Sequence, residues 1–438
     1  MSRRITAKIS VKGTLKAATP LSVGGSGVGE HVDIELATDG AGKCYIPGTS
    51  LAGAIRSWLE RHGCKNHFFG ETDGEASRVY VNDAPIHGAI KERRHGISIN
   101  DDTGTVSGRE GFLYTRAILP RGTSVPFSLE LDAISENDGS VMALVVKALE
   151  AGEIRFGGCR ARGMGRMYLT GTEINFYDFA NDNTALDLWL ENSPSAINSL
   201  DSFIMPKLND EKSFHVKINW KPEANLMVKS GLDGISTKIM PLVSGVGEGL
   251  APVIPGTSLK GIFRAHARKI LSTVLEDGAS KILDDIFGDK DRVGRLMIDD
   301  VYCNNQPVPF EDWITEDAAA LDRITSENQH VAIDRFTGGA SQGALYNARP
   351  VKNSCTWEPI IITLNSYPEI PEETLKQELA LLKLLVRDFS EGYISVGFGS
   401  RRGLGRISRD IEAEYMNFPP DDELQESWNN FLRGGFIG

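Results

Sequence analysis

One stretch of eleven residues occurs twice almost unchanged, and it constrains the fold more than any other feature of the chain. Residues 46–56 read IPGTSLAGAIR, and residues 254–264 read IPGTSLKGIFR. In each copy, Pro-Gly and two hydroxyl residues precede an apolar pattern of helical period, which predicts a helix with Ser50 or Ser258 as its N-cap. We therefore expect the chain to be a tandem duplication.

The start of each repeated helix is a candidate anion site, because the free backbone N–H groups of a helix N-terminus attract phosphate. A basic residue follows within one or two turns, Arg56 in the first copy and Lys260 and Arg264 in the second. A well-capped helix after a tight turn would explain a single copy equally well. Two copies with the same small residues favour a functional site, since capping alone does not require this much identity.

The rest of the chain repeats in the same order, which predicts two domains of one architecture. Each half reads strand, helix, strand, long hairpin, strand, helix, glycine-rich loop and strand. This order is typical of an α+β fold with a ferredoxin-like or RRM-like core and a protruding hairpin. The predicted parts are a first domain at 1–175, a linker at 176–212, a second domain at 213–414 with an acidic insertion near 304–329, and a tail at 415–438.

Composition limits the classes of function. A chain of 438 residues with 41% hydrophobic content can fill two ordinary cores. The five scattered cysteines lack Cys-x-x-Cys spacing, so they support neither a disulfide framework nor a zinc site. The sequence contains no apolar run of the length that a signal peptide or a membrane span needs, which predicts a soluble cytoplasmic protein without a membrane partner.

Charge is unevenly distributed. The net charge of −12 argues against a protein that coats nucleic acid through overall basicity. Arginines nevertheless gather in two glycine-rich loops, which would allow one basic groove on an acidic body. They are Arg155, Arg160, Arg162 and Arg166 in the first half, and Arg401, Arg402 and Arg406 in the second.

Three motifs, which occur in the order typical of one protein family, carry a resemblance to it. They are the repeated Ile-Pro-Gly-Thr-Ser-Leu-x-Gly, the run Ile-Asp-Arg-Phe-Thr-Gly-Gly-Ala at 333–340, and the closing Gly-Phe-Gly-Ser-Arg-Arg-Gly-Leu-Gly-Arg at 397–406. Together they resemble the RAMP superfamily, in particular the double-repeat backbone subunit of type III, III-D-like, CRISPR RNA-guided effector complexes. The resemblance implies two RAMP domains on a guide RNA, each with its hairpin as a thumb that displaces a nucleotide of the guide–target duplex.

The resemblance also implies a site for cutting target RNA. In active backbone subunits, one aspartate between the first strand and the capped helix is required, and Asp33 matches that position. It would act as a base or hold a divalent metal ion, Mg²⁺ in the simplest case. Counting back from the capped helix of the second copy puts Pro241 in the matching place, and Asp233 is the nearest carboxylate. The second domain is therefore expected to bind RNA without cutting it.

The resemblance assigns RNA contacts to both domains and partners to the whole chain. The partners are the guide RNA, a complementary target RNA, neighbouring RAMP backbone subunits and a large signalling subunit. The expected RNA-binding residues are Gly24, Gly25, Ser50, Arg56, Arg160, Arg162 and Arg166 in the first half, and Ser258, Lys260, Arg264, Arg335, Arg401 and Arg402 in the second.

Other readings of the same residues stay open. Asp33 could be a solvated loop residue, with Glu30, His31 and Glu35 as ordinary neighbours, and the chain would then be a scaffold that holds guide and target without cutting. An unrelated enzyme could use the glycine-rich stretch 24–29 as a phosphate loop, but the Lys-Ser/Thr of a Walker motif is missing. A guide-processing endonuclease would need a catalytic histidine, to which no sequence feature points.

Overall fold

The structure is a computed structural model that describes residues 4–25, 32–64, 68–70, 74, 76–88, 90–97, 113–206, 213–231, 234, 236–275, 279–289, 291–341 and 345–434. The described residues form two compact units. The first runs to residue 206, apart from residues 161–163, which belong to the second unit together with residues 213–434. No helix in these ranges combines the length and apolar character that a bilayer-spanning segment needs.

The first unit has eight strands and three α-helices among its described residues. A four-stranded antiparallel sheet has the order β3-β7-β1-β8, and β5 and β6 pair as a separate hairpin. The elements are β1 Ala7–Ala17, β2 Tyr45–Ile46, α1 Gly48–Arg61, β3 Val79–Val81, β4 Ala84–Pro85, β5 Glu92–Ile97, β6 Leu113–Ile118, β7 Ser124–Ala133, α2 Glu136–Glu150, β8 Met167–Asp178 and α3 Ala185–Leu190, with a 3-10 turn at Arg160–Arg162.

The second unit repeats this sheet. Its main sheet has the order β12-β17-β9-β18, also antiparallel, and β15 and β16 form the hairpin. The elements are β9 Ser213–Asn219, β10 Val243–Val246, β11 Gly249–Ile254, α4 Gly256–Val274, α5 Ala279–Phe287, β12 Leu296–Ile298, β13 Val301–Tyr302, β14 Val308–Pro309, α6 Phe310–Ile314, α7 Ala318–Leu321, β15 Asn328–His330, β16 Tyr346–Ala348, β17 Ile360–Asn365, α8 Glu372–Ser390, β18 Glu412–Met416 and α9 Asp421–Gly434, with a 3-10 turn at Ser400–Arg402.

Periodicity explains the main helices and strands. The apolar residues of α1 recur every three to four positions, and Leu51, Ile55 and Trp58 are all buried against the sheet. The corresponding face of α4 buries Leu259 and Phe263. The α+β fold predicted from the sequence is confirmed at this level, with small antiparallel sheets in both units.

A buried ion pair joins the sheet to the second helix in both units. In the first unit, Nη1 of Arg78 lies 2.6 Å from Oδ2 of Asp138, and Nη2 donates to Oδ1 at 3.0 Å. In the second unit, Arg295 pairs with Glu378, and both side chains are less than 10% exposed. Arg78 and Arg295 precede the equivalent strands β3 and β12, and their partners lie in the equivalent helices α2 and α8. The two pairs therefore belong to the scaffold that the two units share.

The segments predicted as an insertion and as a linker both contribute residues to the cores. The insertion near 304–329 includes β14, α6 and α7, and it buries Trp313 and Leu321. The segment expected to be a linker forms α3 and buries Leu200 in the core of the first unit. The C-terminal helix α9 packs on α8 through Leu424 and Phe431.

Candidate functional site

Each repeated helix starts at its glycine, so the predicted serine caps are wrong. Helices α1 and α4 begin at Gly48 and Gly256, with the preceding proline as N-cap and no side-chain hydrogen bond from that cap. Ser50 therefore lies inside the first turn and is exposed, and Ser258 has the same position in α4 and is half-buried. Proline occupies the N-cap position in both helices, because its fixed φ is compatible with the start of a helix.

A carboxylate from a distant strand end takes over the capping role, which sequence reasoning missed. Gly48 N–H donates to Oδ1 of Asp83 at 2.7 Å, and Gly256 N–H donates to Oδ1 of Asp300 at 2.8 Å. The first free N–H of each helix is thus already bonded to an anion of the protein itself. The signal was present in the repeat, because both matched strands are followed by an aspartate at this place.

The arginines on these helices hold the helix to the following loop. Nη1 of Arg56 donates to the carbonyl of Gly70 at 2.8 Å, and Nη1 of Arg264 donates to the carbonyl of Gly288. Arg264 also pairs with Asp284, with 2.7 Å between Nη2 and Oδ1. The two arginines therefore make the same contact in each unit, and part of their hydrogen-bonding capacity is used within the protein.

Lys260 is buried in the second unit. Its side-chain Nζ donates to the carbonyls of Leu296 at 2.6 Å and of Ala161 at 3.1 Å. Burial, followed by the charges of Arg162 and Arg264, lowers the pKa of Lys260 to about 7. The structure thus places this predicted RNA contact among protein carbonyls.

Asp33 lies on the surface of the first unit beside the hairpin. Oδ2 of Asp33 accepts the backbone N–H of Thr115 in β6 at 2.7 Å, and the Asp33 N–H donates to the Thr115 carbonyl at 3.0 Å. The Thr115 hydroxyl is 3.0 Å from Nδ1 of His95 in β5. The carboxylate is therefore held in place by the backbone while remaining exposed to solvent. Sequence reasoning did not identify the contribution of His95.

The loop around Asp33 is closed by the two predicted glycines. Gly24 bridges to Leu36, and Gly25 N–H donates to the Glu35 carbonyl at 3.0 Å. A Cβ built at Gly25 would lie 3.0 Å from the Leu36 carbonyl oxygen, so the tight approach favours glycine there. Glu30 and His31 lie outside the described residues, and Glu35 is half-buried.

The second unit has a lysine where the first has Asp33. Gly24 bridges to Leu36 as Lys229 bridges to Pro241, and Ile34 bridges to Arg116 as Ile239 bridges to Ala348. The residue before Ile239 is Lys238, and it is exposed.

The expected match of Asp33 with Pro241 is therefore wrong. The hairpin β10–β11 makes the segment between this loop and the helix three residues longer in the second unit. No residue count from the helix could reveal that difference. Asp233, the alternative carboxylate, lies outside the described residues.

Arginines at the glycine-rich loops are exposed in both units. Arg160 and Arg162 belong to the first 3-10 turn, and Arg401 and Arg402 to the second. Arg402 hydrogen-bonds the Tyr346 hydroxyl and stacks over a ring, as its guanidinium carbon lies 5.6 Å from the centre of Phe398. Half-buried Arg166 stacks in the same way on the ring of Tyr168 at 5.4 Å.

A hydrogen-bonded turn lies between the two strands of the hairpin in the second unit. Oδ1 of Asp334 accepts the N–H groups of Phe336 at 2.8 Å and Thr337 at 2.9 Å, and these bonds lower the pKa of Asp334. The turn leaves Arg335 exposed, and Phe336 has a relative exposure of 102%. A fully exposed aromatic ring on a fixed turn is suited to stacking, which sequence reasoning did not single out. The matching turn of the first unit lies outside the described residues.

The described residues of the Asp33 loop offer few ligands to a metal ion. No group of three histidine, cysteine, aspartate or glutamate side chains suited to a metal ion occurs in the part of the chain that the structure describes. Asp33 offers one exposed carboxylate with Oδ2 already bonded to Thr115. This donor set fits Mg²⁺ only where water and substrate phosphate complete the shell, which is the usual way that Mg²⁺ binds.

Comparison with known proteins agrees with the duplication. The sequence model of the RAMP superfamily matches twice, at residues 14–168 and 239–408. A search of curated proteins found no match.

Proposed function

Because the chain belongs to the RAMP superfamily, a family of CRISPR-associated modules, we propose that it is a backbone subunit of a type III effector complex. In this proposal it binds a guide RNA, and its first unit cuts the complementary target RNA while its second unit only binds. The observation that carries the proposal is the contrast between exposed Asp33 and exposed Lys238 at one backbone position of the repeat.

The proposed core of each unit is ferredoxin-like, with the β5–β6 and β15–β16 hairpins as thumbs. The identical antiparallel order of the two main sheets supports this assignment, together with two helices that follow the first and third sheet strands. In the second unit, Phe336 at the hairpin turn would stack on a base. Arg335 beside it would contact the phosphate backbone.

Exposed cations supply the proposed binding surface. Arg160, Arg162, Arg401 and Arg402 are exposed at equivalent turns, where they would contact phosphates of the guide. Because Arg56 and Arg264 bond the loop that follows their helix and Lys260 bonds protein carbonyls, we assign these three a role in positioning the helices. Neighbouring RAMP subunits, a large signalling subunit and a cytoplasmic location complete the proposal.

The proposed chemistry is attack by a ribose 2′-oxygen on the adjacent phosphorus. The O2′–P bond forms, the P–O5′ bond breaks, and the 2′-hydroxyl proton passes to the Asp33 carboxylate. The Thr115 N–H fixes Oδ2 of Asp33, so that the other oxygen faces the substrate. A bound Mg²⁺ would add a positive charge that stabilises the phosphate oxygens.

The test is cleavage of labelled complementary RNA by the complex assembled with its guide and partner subunits. Asp33→Ala is expected to remove one cut, with target binding unchanged, and Mg²⁺ removal is expected to slow that cut. Asp187→Ala, which changes an exposed aspartate on α3, is the matched control and should keep every cut. Survival of all cuts in Asp33→Ala would overturn the proposal in favour of a scaffold that binds guide and target without cutting.

A further inference from the structure

A second charged residue of the first unit follows, in β6, the residue whose N–H binds Asp33. Arg116 follows Thr115 in β6, and the Ile34 carbonyl accepts the N–H of Ala117 at 2.9 Å. The parallel bridge between Ile34 and Arg116 puts the arginine on the strand segment that fixes the aspartate.

The guanidinium of Arg116 is supported but incompletely used. Its Nη1 donates to the hydroxyl of Ser22 at 3.2 Å, and Ser22, fully buried, donates to the Ala117 carbonyl at 3.1 Å. A Cβ built at Gly158 would lie 3.2 Å from Nη1, so this glycine leaves room for the guanidinium. Within the described ranges, Nε of Arg116 is buried without a hydrogen bond. A guanidinium has five N–H donors, and the protein acceptor that Arg116 contacts among the described residues is the Ser22 hydroxyl. The group can therefore still bind an anion.

The second unit lacks this arrangement entirely. Gly158 N–H donates to the Ser22 carbonyl at 2.8 Å, and Phe398 N–H donates to the Met227 carbonyl at 2.7 Å, so these pairs are equivalent. Ala348 takes the place of Arg116 in the equivalent bridge.

The replaced residues form an apolar group in the second unit. Met227, Ala348 and Phe398 lie together in one hydrophobic cluster. The unit with Asp33 thus has Ser22, Arg116 and Gly158, and the unit with Lys238 has Met227, Ala348 and Phe398 at the equivalent positions. The loss of the carboxylate and the loss of the arginine occur together.

The geometry points to Arg116 as a second catalytic residue, which contacts the phosphate being cut; this inference rests on the proposed function. Attack by the 2′-oxygen adds negative charge to the phosphate, close to the Asp33 carboxylate. A fixed guanidinium offers two parallel N–H donors to phosphate oxygens and stabilises that charge without reorganisation. Arg116 exchanges no proton; the 2′-hydroxyl proton goes to Asp33, and the departing 5′-oxygen takes its proton from water.

The test measures single-turnover cleavage at saturating target, together with target affinity, in the assembled complex. Arg116→Ala is expected to slow the Asp33-dependent cut by about 10²–10³-fold, with the other cuts and target affinity unchanged. Added guanidinium ion is expected to restore part of the rate to Arg116→Ala and none to Asp33→Ala. Arg116→Lys, which keeps the charge without the paired donors, is expected to fall between wild type and Arg116→Ala.

Two further variants separate catalysis from structure. Ser22→Ala removes the hydroxyl that orients Nη1 and is expected to slow the same cut by less than Arg116→Ala. Arg61→Ala, an exposed arginine at the end of α1, is the matched control and should leave all cuts unchanged.

The outcomes distinguish this inference from the proposed function. If Asp33→Ala loses the cut while Arg116→Ala cuts at the wild-type rate, only the inference about Arg116 is overturned. A slowed Arg116→Ala cut that guanidinium does not restore, with weakened target affinity, would equally overturn a catalytic contact. If Asp33→Ala keeps the cut, the proposed function itself fails.

Discussion

The two units keep the same main sheet and differ at the loop beside the hairpin. Both start their first helix at a glycine bonded to a distant aspartate, and both hold the sheet to the second helix with a buried ion pair. At the loop beside the hairpin, however, the first unit has Asp33 and the second has Lys238. The comparison teaches that the repeated motifs specify the fold, while the residues that differ between copies indicate the chemistry.

The helix-start glycine should give the largest effect on stability, and an equal one in both units. A Cβ at Gly48 would lie 2.0 Å from the Val81 carbonyl oxygen, and one at Gly256 would lie 2.0 Å from that of Ile298. The atoms that the Cβ would meet belong to the backbone and cannot move without disturbing a strand. We therefore expect each alanine substitution to lower the free energy of unfolding by about 3 kcal/mol or more. Hydrogen exchange of the full chain would measure the loss unit by unit.

The control for that experiment is the next glycine of the same motif. Gly53 and Gly261 lie inside their helices with no atom within 4 Å of a built Cβ. Alanine there should stabilise each unit by about 0.5–1 kcal/mol, because glycine is a poor helix former. An effect at Gly48 without one at Gly256 would break the claim of a shared scaffold.

Breaking the buried ion pairs should change the stability of the two units by different, intermediate amounts. Burial would raise the pKa of Asp138, but hydrogen bonds from Arg78 and from two backbone N–H groups lower it overall. Burial raises the pKa of Glu378, and the charge of Arg295 only partly offsets this. We therefore expect Asp138→Asn to cost more than Glu378→Gln, by about 1–2 kcal/mol.

The pH dependence of the two pairs has opposite signs. Asp138 binds its proton less tightly when folded, so its stabilisation is complete above its ordinary pKa and is lost as the pH falls through the lowered pKa. Glu378 binds its proton more tightly when folded, so its contribution improves as the pH falls. Unfolding of each variant from neutral to acid pH would check both signs, and equal slopes would contradict the assignment.

The smallest effect concerns Lys260, whose counterpart in the first unit is Ala52. With a pKa of about 7 in the folded state, Lys260 is partly neutral at a pH where the unfolded chain still holds the proton. Unfolding then takes up a proton, so stability of the second unit should rise with pH, by about 1 kcal/mol between pH 7.5 and 8.5. Lys260→Met should remove this slope, and the first unit should lack it; a slope that persists in Lys260→Met would contradict the assignment.

Much of the architecture could be predicted from the repeat alone. The order of strands and helices could be predicted because the apolar residues of each element recur with a regular spacing, as in α1. Helices α2 and α8 each end just before a glycine in the left-handed region, with φ of +67° at Gly152 and +79° at Gly392. The assignment to the RAMP superfamily is also confirmed, and the type III subunit stays a proposal.

The site could be predicted less completely, because its partners are distant in sequence. Asp83 reaches Gly48 across 35 positions, and no local rule for caps includes such a residue. The counterpart of Asp33 depended on the length of the hairpin β10–β11, which only strand pairing shows. His95 joins the site through the pairing of β5 with β6, and Arg116 joins it through the bridge to Ile34; neither residue has a motif of its own.

The most direct test of the central claim is a map of the cuts made in a complementary RNA by complexes that carry wild type, Asp33→Asn or Lys238→Asp. We predict that Asp33→Asn loses one cut and keeps the others with unchanged target binding. Lys238→Asp should add none, because Ala348 offers no guanidinium to that site. Persistence of every cut in Asp33→Asn would contradict the account of the first unit, and a new cut in Lys238→Asp would contradict the part assigned to Arg116.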